Sequence, residues 1–177
     1  MLRFTLFFIA SALFAATPYE QGRSYYELGD FKKAACSFQE AVAAEPGISE
    51  RYLWLGRAYG RRAEHSSPFT APGYAVKARQ NFEKAVELDP RNLEAMSDLF
   101  EYYLEAPGFL GGGVDKATVL TAKIAQLDRA EGHYAQFKLA EKRGDLARAE
   151  HELRAAASAA PDRLADLAKF LARRKTS

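Results

Sequence analysis

The sequence predicts an all-α fold, in which about four antiparallel helix pairs stack into a solenoid and one further helix closes it. Three observations predict this. First, one spacing recurs: a small residue, a bulky residue four on, a small residue three on, and a proline five on. It appears as Ala34-Phe38-Ala41-Pro46, Ala78-Phe82-Ala85-Pro90 and Ala149-Leu153-Ala156-Pro161, with Ala117-Thr121-Ile124-Arg129 as a degraded copy. Spacings of four and three hold three residues on one helical face. The proline then stops the helix, because it has no amide hydrogen and its ring clashes with the turn before it. Second, Gly29-Asp30-Phe31 and Gly144-Asp145-Leu146 each supply a helix stop and a cap for the next helix. Third, the closing positions 46, 90, 129 and 161 lie 44, 39 and 32 residues apart, the size of a repeating helix pair.

Residues 1–16 stand apart from the rest. A positive start at Arg3, an almost wholly apolar run over residues 4–14 and the small pair Ala15-Ala16 form the pattern of a secretory signal peptide. The run is shorter than the ~20 residues a membrane-spanning helix needs. Export to the periplasm or beyond the cell is the expectation, with a retained apolar anchor as the alternative. Over the whole chain, 25 Lys and Arg against 23 Asp and Glu leave +2. So weak a field argues against a dedicated nucleic-acid binder, which needs a basic stripe to neutralise phosphates, while leaving room for a local patch. Cys36 is the only cysteine, so no intramolecular disulfide forms, and its place in a repeat helix predicts a small buried thiol.

The first helix of each pair packs on the helix just described. The first pair has Gln21-Gly22 and Tyr25; the second has Leu55-Gly56 and Tyr59, with glycine where a neighbour comes close. The third has Leu99-Phe100 and Tyr103, and the fourth Gln136-Phe137 and Ala140. Together with Leu88-Asp89-Pro90 and the four spaced sets, these residues resemble the tetratricopeptide repeat family, whose unit is an antiparallel helix pair of 34 residues. The resemblance covers residues 18–161, as repeats of about 18–47, 48–91, 92–129 and 130–161. Residues 162–177 follow as a capping helix, with apolar positions at 164, 167, 168 and 171, and a basic end at Arg173-Arg174-Lys175.

The two middle repeats carry extra residues, expected in the turn between their helices: residues 64–74 and 106–114. Prolines and glycines predict loops there, and Phe69, Tyr74, Phe109 and Leu110 make them unusually apolar. Intra-repeat turns emerge on one edge of such a stack, so the two should be neighbours. Either the aromatics fold back and seal that edge, or they form a lip for a partner or small ligand. Gly111-Gly112-Gly113 is a weak candidate for an anion cradle, without the Lys and Ser or Thr of a phosphate-binding loop.

The resemblance implies a protein or peptide partner held in a concave groove. By register its positions are Arg23 and Tyr26, then Leu53, Arg57 and Arg61, then Ser97, Glu101 and Glu105, then Tyr134, Lys138 and Glu141. One stretch is basic and the next acidic, suited to a segment bearing both charges. Trp54 is either an exposed aromatic anchor or a core residue. The Lys and Asn pattern that grips a C-terminal carboxylate is not evident. His65, His133 and His151 lie far apart, outside any metal-ligand spacing, and no nucleophile–base set appears. The expectation is therefore a scaffold with no cofactor and no metal. Self-association of an incompletely capped stack, or a ligand beneath the long loops, are the alternatives.

Overall fold

The structure is a computed structural model and describes residues 16–176. Residues 1–15, which hold nearly all of the leader-like segment, lie outside the described residues, as does Ser177. The described chain is helical throughout. Its elements are α1 (Pro18–Glu27), α2 (Phe31–Ala44), α3 (Ser49–Glu64), α4 (Ala71–Leu88), α5 (Leu93–Glu105), α6 (Val114–Leu127), α7 (Arg129–Lys142), α8 (Leu146–Ala159) and α9 (Leu164–Thr176). Short 3-10 turns at Gly108–Leu110 and Pro161–Arg163 complete it. Each helix packs against the next, and α1, α3, α5 and α7 also touch in succession, which gives the stack its inner face.

Local chemistry sets the helix ends. Thr17 accepts from the Glu20 amide while the Glu20 carboxylate accepts from the Thr17 amide, a reciprocal cap on α1. Asp30, Asn92, Asp128 and Asp145 each take an amide three residues on, at the starts of α2, α5, α7 and α8. Gly29 and Gly144 both stand at φ 76°, the left-handed geometry expected of a helix stop. At the third boundary, where Arg129 replaces proline, no linker remains. Asp128 alone separates α6 from α7, ending one and capping the other.

All twelve inward positions of the repeated spacing (Ala34, Phe38 and Ala41 and their counterparts) are buried. Their packing partners show why glycine recurs in the first helices. A Cβ on Gly22 would lie 2.6 Å from the Phe38 ring, and one on Gly56 2.6 Å from the Phe82 ring. The third repeat reverses the sizes: its counterpart of Gly56 is Phe100 and its counterpart of Phe82 is Thr121, both buried. The Thr121 hydroxyl donates to the Thr118 carbonyl, so its burial leaves no unmet polar group. The degraded copy is thus a large-for-small exchange between the two helices of the pair.

The core falls into two clusters. The larger runs from Ala34 to Leu139 across α2 to α7. The smaller joins Phe137, Ala140, Ala149, Leu153 and Phe170, so α7 serves both. The capping helix is present, and Leu167 and Leu171 pack against the smaller core as expected, but Leu164 and Ala168 do not and Phe170 takes the buried position. Phe170 is 2% exposed and meets Phe137 edge-on at 5.6 Å, while Leu164 is 55% exposed and Ala168 is also exposed. The bulky ring, rather than Leu164, fills the end of the stack. Cys36 corrects another expectation: it is exposed. Ala34, Ala35 and Phe38 take the inward positions, and a residue two on from Ala34 points away from them.

The second repeat's extra length also goes elsewhere than expected. Only residues 65–70 are non-helical; the surplus lengthens α3 to 16 residues and α4 to 18. Pro72 and Gly73 lie in the first turn of α4, where proline's missing amide costs nothing. Tyr74 is therefore a helical residue.

Candidate partner-binding groove

On the inner face, α3 presents Trp54, Arg57 and Arg61, spaced three and four apart. Trp54 is half-buried in a clasp. Tyr26 meets it edge-on at 5.3 Å, and the Arg23 and Arg57 guanidinium groups lie 3.7 and 4.8 Å from its ring centre. Such contacts add about 0.5–1 kcal/mol each at partly exposed sites. Leu53 reaches the groove only at the floor of the cavity beside Trp54. It is 2% exposed and belongs to the core, because one residue of helix rotates it about 100° from Trp54.

From α3 onward the groove charges answer one another. Arg57 Nε donates to Asp98 Oδ2 at 2.6 Å, and its terminal nitrogen reaches Glu94 at 2.9 Å. Lys138 of α7 pairs with Glu101 of α5 at 2.8 Å, and Lys142 pairs with Glu105 at 2.8 Å. Arg173 of α9 donates to Glu141 at 3.0 Å. Burial pushes the Asp98 carboxyl up, and Arg57 only partly offsets this. Burial also works against the charges of Arg57 and Lys138, but their carboxylate partners outweigh it and hold both above their ordinary values. Ser97, half-buried, takes no part in this ladder; its neighbour Asp98 holds the position facing α3. The basic and acidic stretches read from the sequence are thus brought together as rungs between helices. The ladder depends on the stagger of successive repeats, and only Asp98 and Glu94, absent from the predicted positions, complete it. Their spacing with Glu101 and Glu105 along α5 is the signal that could have found them.

Two cavities open beside these residues. One, about 660 Å³, lies toward the inter-repeat turns between Arg23, Ile48, Glu50, Trp54, Asn92 and Glu94. The other, about 350 Å³, is a slot between α3 and α5, lined by Tyr26, Gly60, Ala63, Ala75, Phe82 and Tyr102, with Arg61 and Glu64 at its rim. Arg61 pairs with Glu64 within α3. A Cβ built on Gly60 meets nothing within 4 Å, so the slot is open at that point. Farther along, Tyr134 is half-buried, with the Arg163 guanidinium 3.7 Å from its ring centre.

The loop residues divide. Tyr74 folds in, its ring stacked on Tyr59 at 6.2 Å and its hydroxyl accepting from Arg62 at 2.6 Å. Leu110 is half-buried, and its carbonyl accepts from the Tyr102 hydroxyl at 2.9 Å. Phe69 and Phe109, by contrast, are 96% and 81% exposed. The amides of Gly111, Gly112 and Gly113 are spent on the carbonyls of Gly108, Pro107 and Tyr103, so they offer no cradle to an anion. Loop 106–113 rests on α4 instead. Arg79 runs beside Gly111 and pairs with Glu83, which accepts from the Tyr103 hydroxyl at 2.7 Å. His133 meets Glu152 at 2.8 Å, and among the described residues no group of His, Cys, Asp and Glu could hold a metal ion. Nor is any described helix long and apolar enough to cross a membrane.

No protein-family model matches the chain, and no curated relative matches it. Solved structures do. The thermophilic tetratricopeptide-repeat protein TTC0263 of Thermus thermophilus superposes with a TM-score of 0.73 at 23% identity, covering 87% of this chain and 79% of that one. Two structures of MamA superpose with TM-scores of 0.60 and 0.58 at 20% and 21% identity, covering 81% and 79% of this chain and 72% and 74% of theirs. These likenesses, together with the stacked helix pairs and their shared packing positions, give the chain a tetratricopeptide-type fold.

Proposed function

We propose that this protein is a non-enzymatic interaction scaffold that holds a segment of a partner protein along its inner face. The observation that carries this reading is the slot between α3 and α5. It has an apolar floor of small residues, tyrosines on its walls and charged groups at its rim, the makeup of a site for one protruding side chain. The adjoining Trp54 clasp extends the surface toward α1. Because the charges nearby are already paired, recognition rests on shape and apolar contact, with Arg61 and Glu64 orienting the segment. The leader-like start supports a place of action outside the cytoplasm, in the periplasm or beyond.

Gly60→Trp tests the site. The glycine lies mid-helix with open space beside it, so an indole there fills the slot and leaves the core untouched. The full chain is used as bait in an extract of the source cell's envelope, beside the variant. A partner retained by the parent and lost from Gly60→Trp, with thermal stability unchanged, supports the reading. Equal capture by both excludes the slot.

A further inference from the structure

The four intra-repeat turns emerge on one edge of the stack, and each carries a large apolar side chain in water: Leu28 (79% exposed), Phe69 (96%), Phe109 (81%) and Leu146 (43%). Between the first two turns lies a cavity of about 390 Å³, lined by Asp30, Phe31, Lys32, Arg62, His65 and Ser66. Its charge is lopsided. Asp30 is committed to Lys33, with which it pairs at 2.8 Å and whose amide it caps at 3.0 Å. Lys32 forms no direct ion pair among the described residues and acts on Asp30 only through space. Arg62 also has no carboxylate partner there; it is held by the Tyr74 hydroxyl at 2.6 Å, with its guanidinium 4.1 Å from the Tyr74 ring centre. His65 lies against Phe31 at 5.3 Å. Its Nδ1 is 2.8 Å from the Arg61 carbonyl and so donates, which leaves Nε2 without a partner among the described residues. The inner-face cations are nearly all matched by carboxylates. At this edge Lys32 and Arg62 are not matched among the described residues.

We propose that this edge docks on an anionic phospholipid bilayer, with a lipid phosphate in the cavity between Lys32, Arg62 and His65, and Leu28 and Phe69 entering the interfacial layer on either side. The surplus cations supply attraction to anionic headgroups, and the apolar prongs supply insertion. The same arrangement continues along the edge. Lys116 and Arg143, which bond only to neutral oxygens at 2.9 Å, accompany Phe109 and Leu146. A soluble phosphate would satisfy the cavity yet leave the prongs in water. An acidic protein segment would need an apolar wall to receive its side chains, and residues as exposed as Phe69 and Phe109 have none beside them. A bilayer needs no such wall.

The test is co-sedimentation of the full chain with vesicles of phosphatidylcholine alone or mixed with phosphatidylserine, beside the variants Lys32→Glu and Phe69→Ser. Any contribution from the apolar N-terminal segment is common to all, so the differences report on the edge. The mixed vesicles should bind at least tenfold more tightly than the neutral ones, and the preference should fade in high salt. Lys32→Glu should weaken binding to them at least fivefold, roughly the effect of one basic residue at an anionic surface. Phe69→Ser should weaken it about tenfold. Both side chains are exposed, so melting temperatures should not move. Equal binding to the two vesicle types overturns the proposal. So does a loss with Lys32→Glu alone while Phe69→Ser binds like the parent, which would assign the cavity to a soluble phosphate or an acidic protein. A rise in melting temperature with inorganic phosphate, without vesicle binding, overturns it as well.

Discussion

Replacing Arg57 with methionine removes the central rung of the inner-face ladder while keeping much of the side chain's length. The Arg57 side chain is 22% exposed and that of Asp98 27% exposed, so the carboxylate left behind is largely desolvated. A charge-assisted hydrogen bond of this kind is worth about 1.5–3 kcal/mol, and the lost contact with Trp54 adds about 0.5 kcal/mol. The Glu94 end, 69% exposed, contributes next to nothing. Allowing for residual solvent at Asp98, the loss is about 2–3 kcal/mol, or ~5–10 °C in melting temperature for a chain of this size. Chemical denaturation followed by circular dichroism measures it. The sign with pH is fixed. Burial raises the Asp98 carboxyl in the folded state, and without Arg57 it rises further. The penalty is therefore present at neutral pH, where the carboxylate is charged, and fades as pH falls through the folded-state value and the group becomes neutral. Asp98→Asn in the Arg57→Met background should recover about half of the loss. A deficit below ~0.5 kcal/mol, the range of ordinary surface substitutions, or one that does not change with pH, would refute this account of the ladder.

Gly56→Ala should destabilise by about 1–3 kcal/mol, since its Cβ meets the Phe82 ring at 2.6 Å. Gly60→Ala, one turn on with open space, should instead gain up to ~1 kcal/mol of helix propensity; paired thermal melts decide. Phe170→Ala should cost about 3–5 kcal/mol in the smaller core, and hydrogen exchange should show amide protection lost in α9 and retained in α3. Burial raises the hydroxyl of Tyr103, reinforced by its bond to Glu83, and burial likewise raises Tyr26, Tyr59 and Tyr134. Their folded values exceed the unfolded one, so their stability is complete below about pH 10 and is lost as pH rises beyond it. The melting temperature should fall steeply over that range, and less steeply in Tyr103→Phe. Cys36 should react with a thiol reagent as fast in the native protein as in urea; strong native protection would place it inside.

The fold was legible because the packing repeat is written as side-chain size at fixed spacing. Ala34, Phe38 and Ala41 and their counterparts required only helical periodicity to place. The groove was harder, since its register had to be carried over by resemblance, and a slip of one residue puts Leu53 inside and Asp98 outside. Which charges meet was beyond reach, because Arg57 and Asp98 lie 41 residues apart on different repeats. At the edge, composition could not separate Phe69, in water, from Tyr74, which is fixed by a helix beginning three residues before it. Proline at position 72 was the available sign that α4 starts there.

The single residue Asp128 between α6 and α7 sets how the stack can move. The junctions before it have four residues each, 45–48 and 89–92, which leaves slack for neighbouring repeats to pivot. Across Asp128 there is none, and a Cβ on Gly132 would lie 2.5 Å from Ala125, so the two helices are locked at close range. The inner curve therefore has its longer junctions within the first three repeats. The slot between α3 and α5 lies on the side of Asp128 that holds those junctions, and α6 and α7 follow it as one closely packed pair.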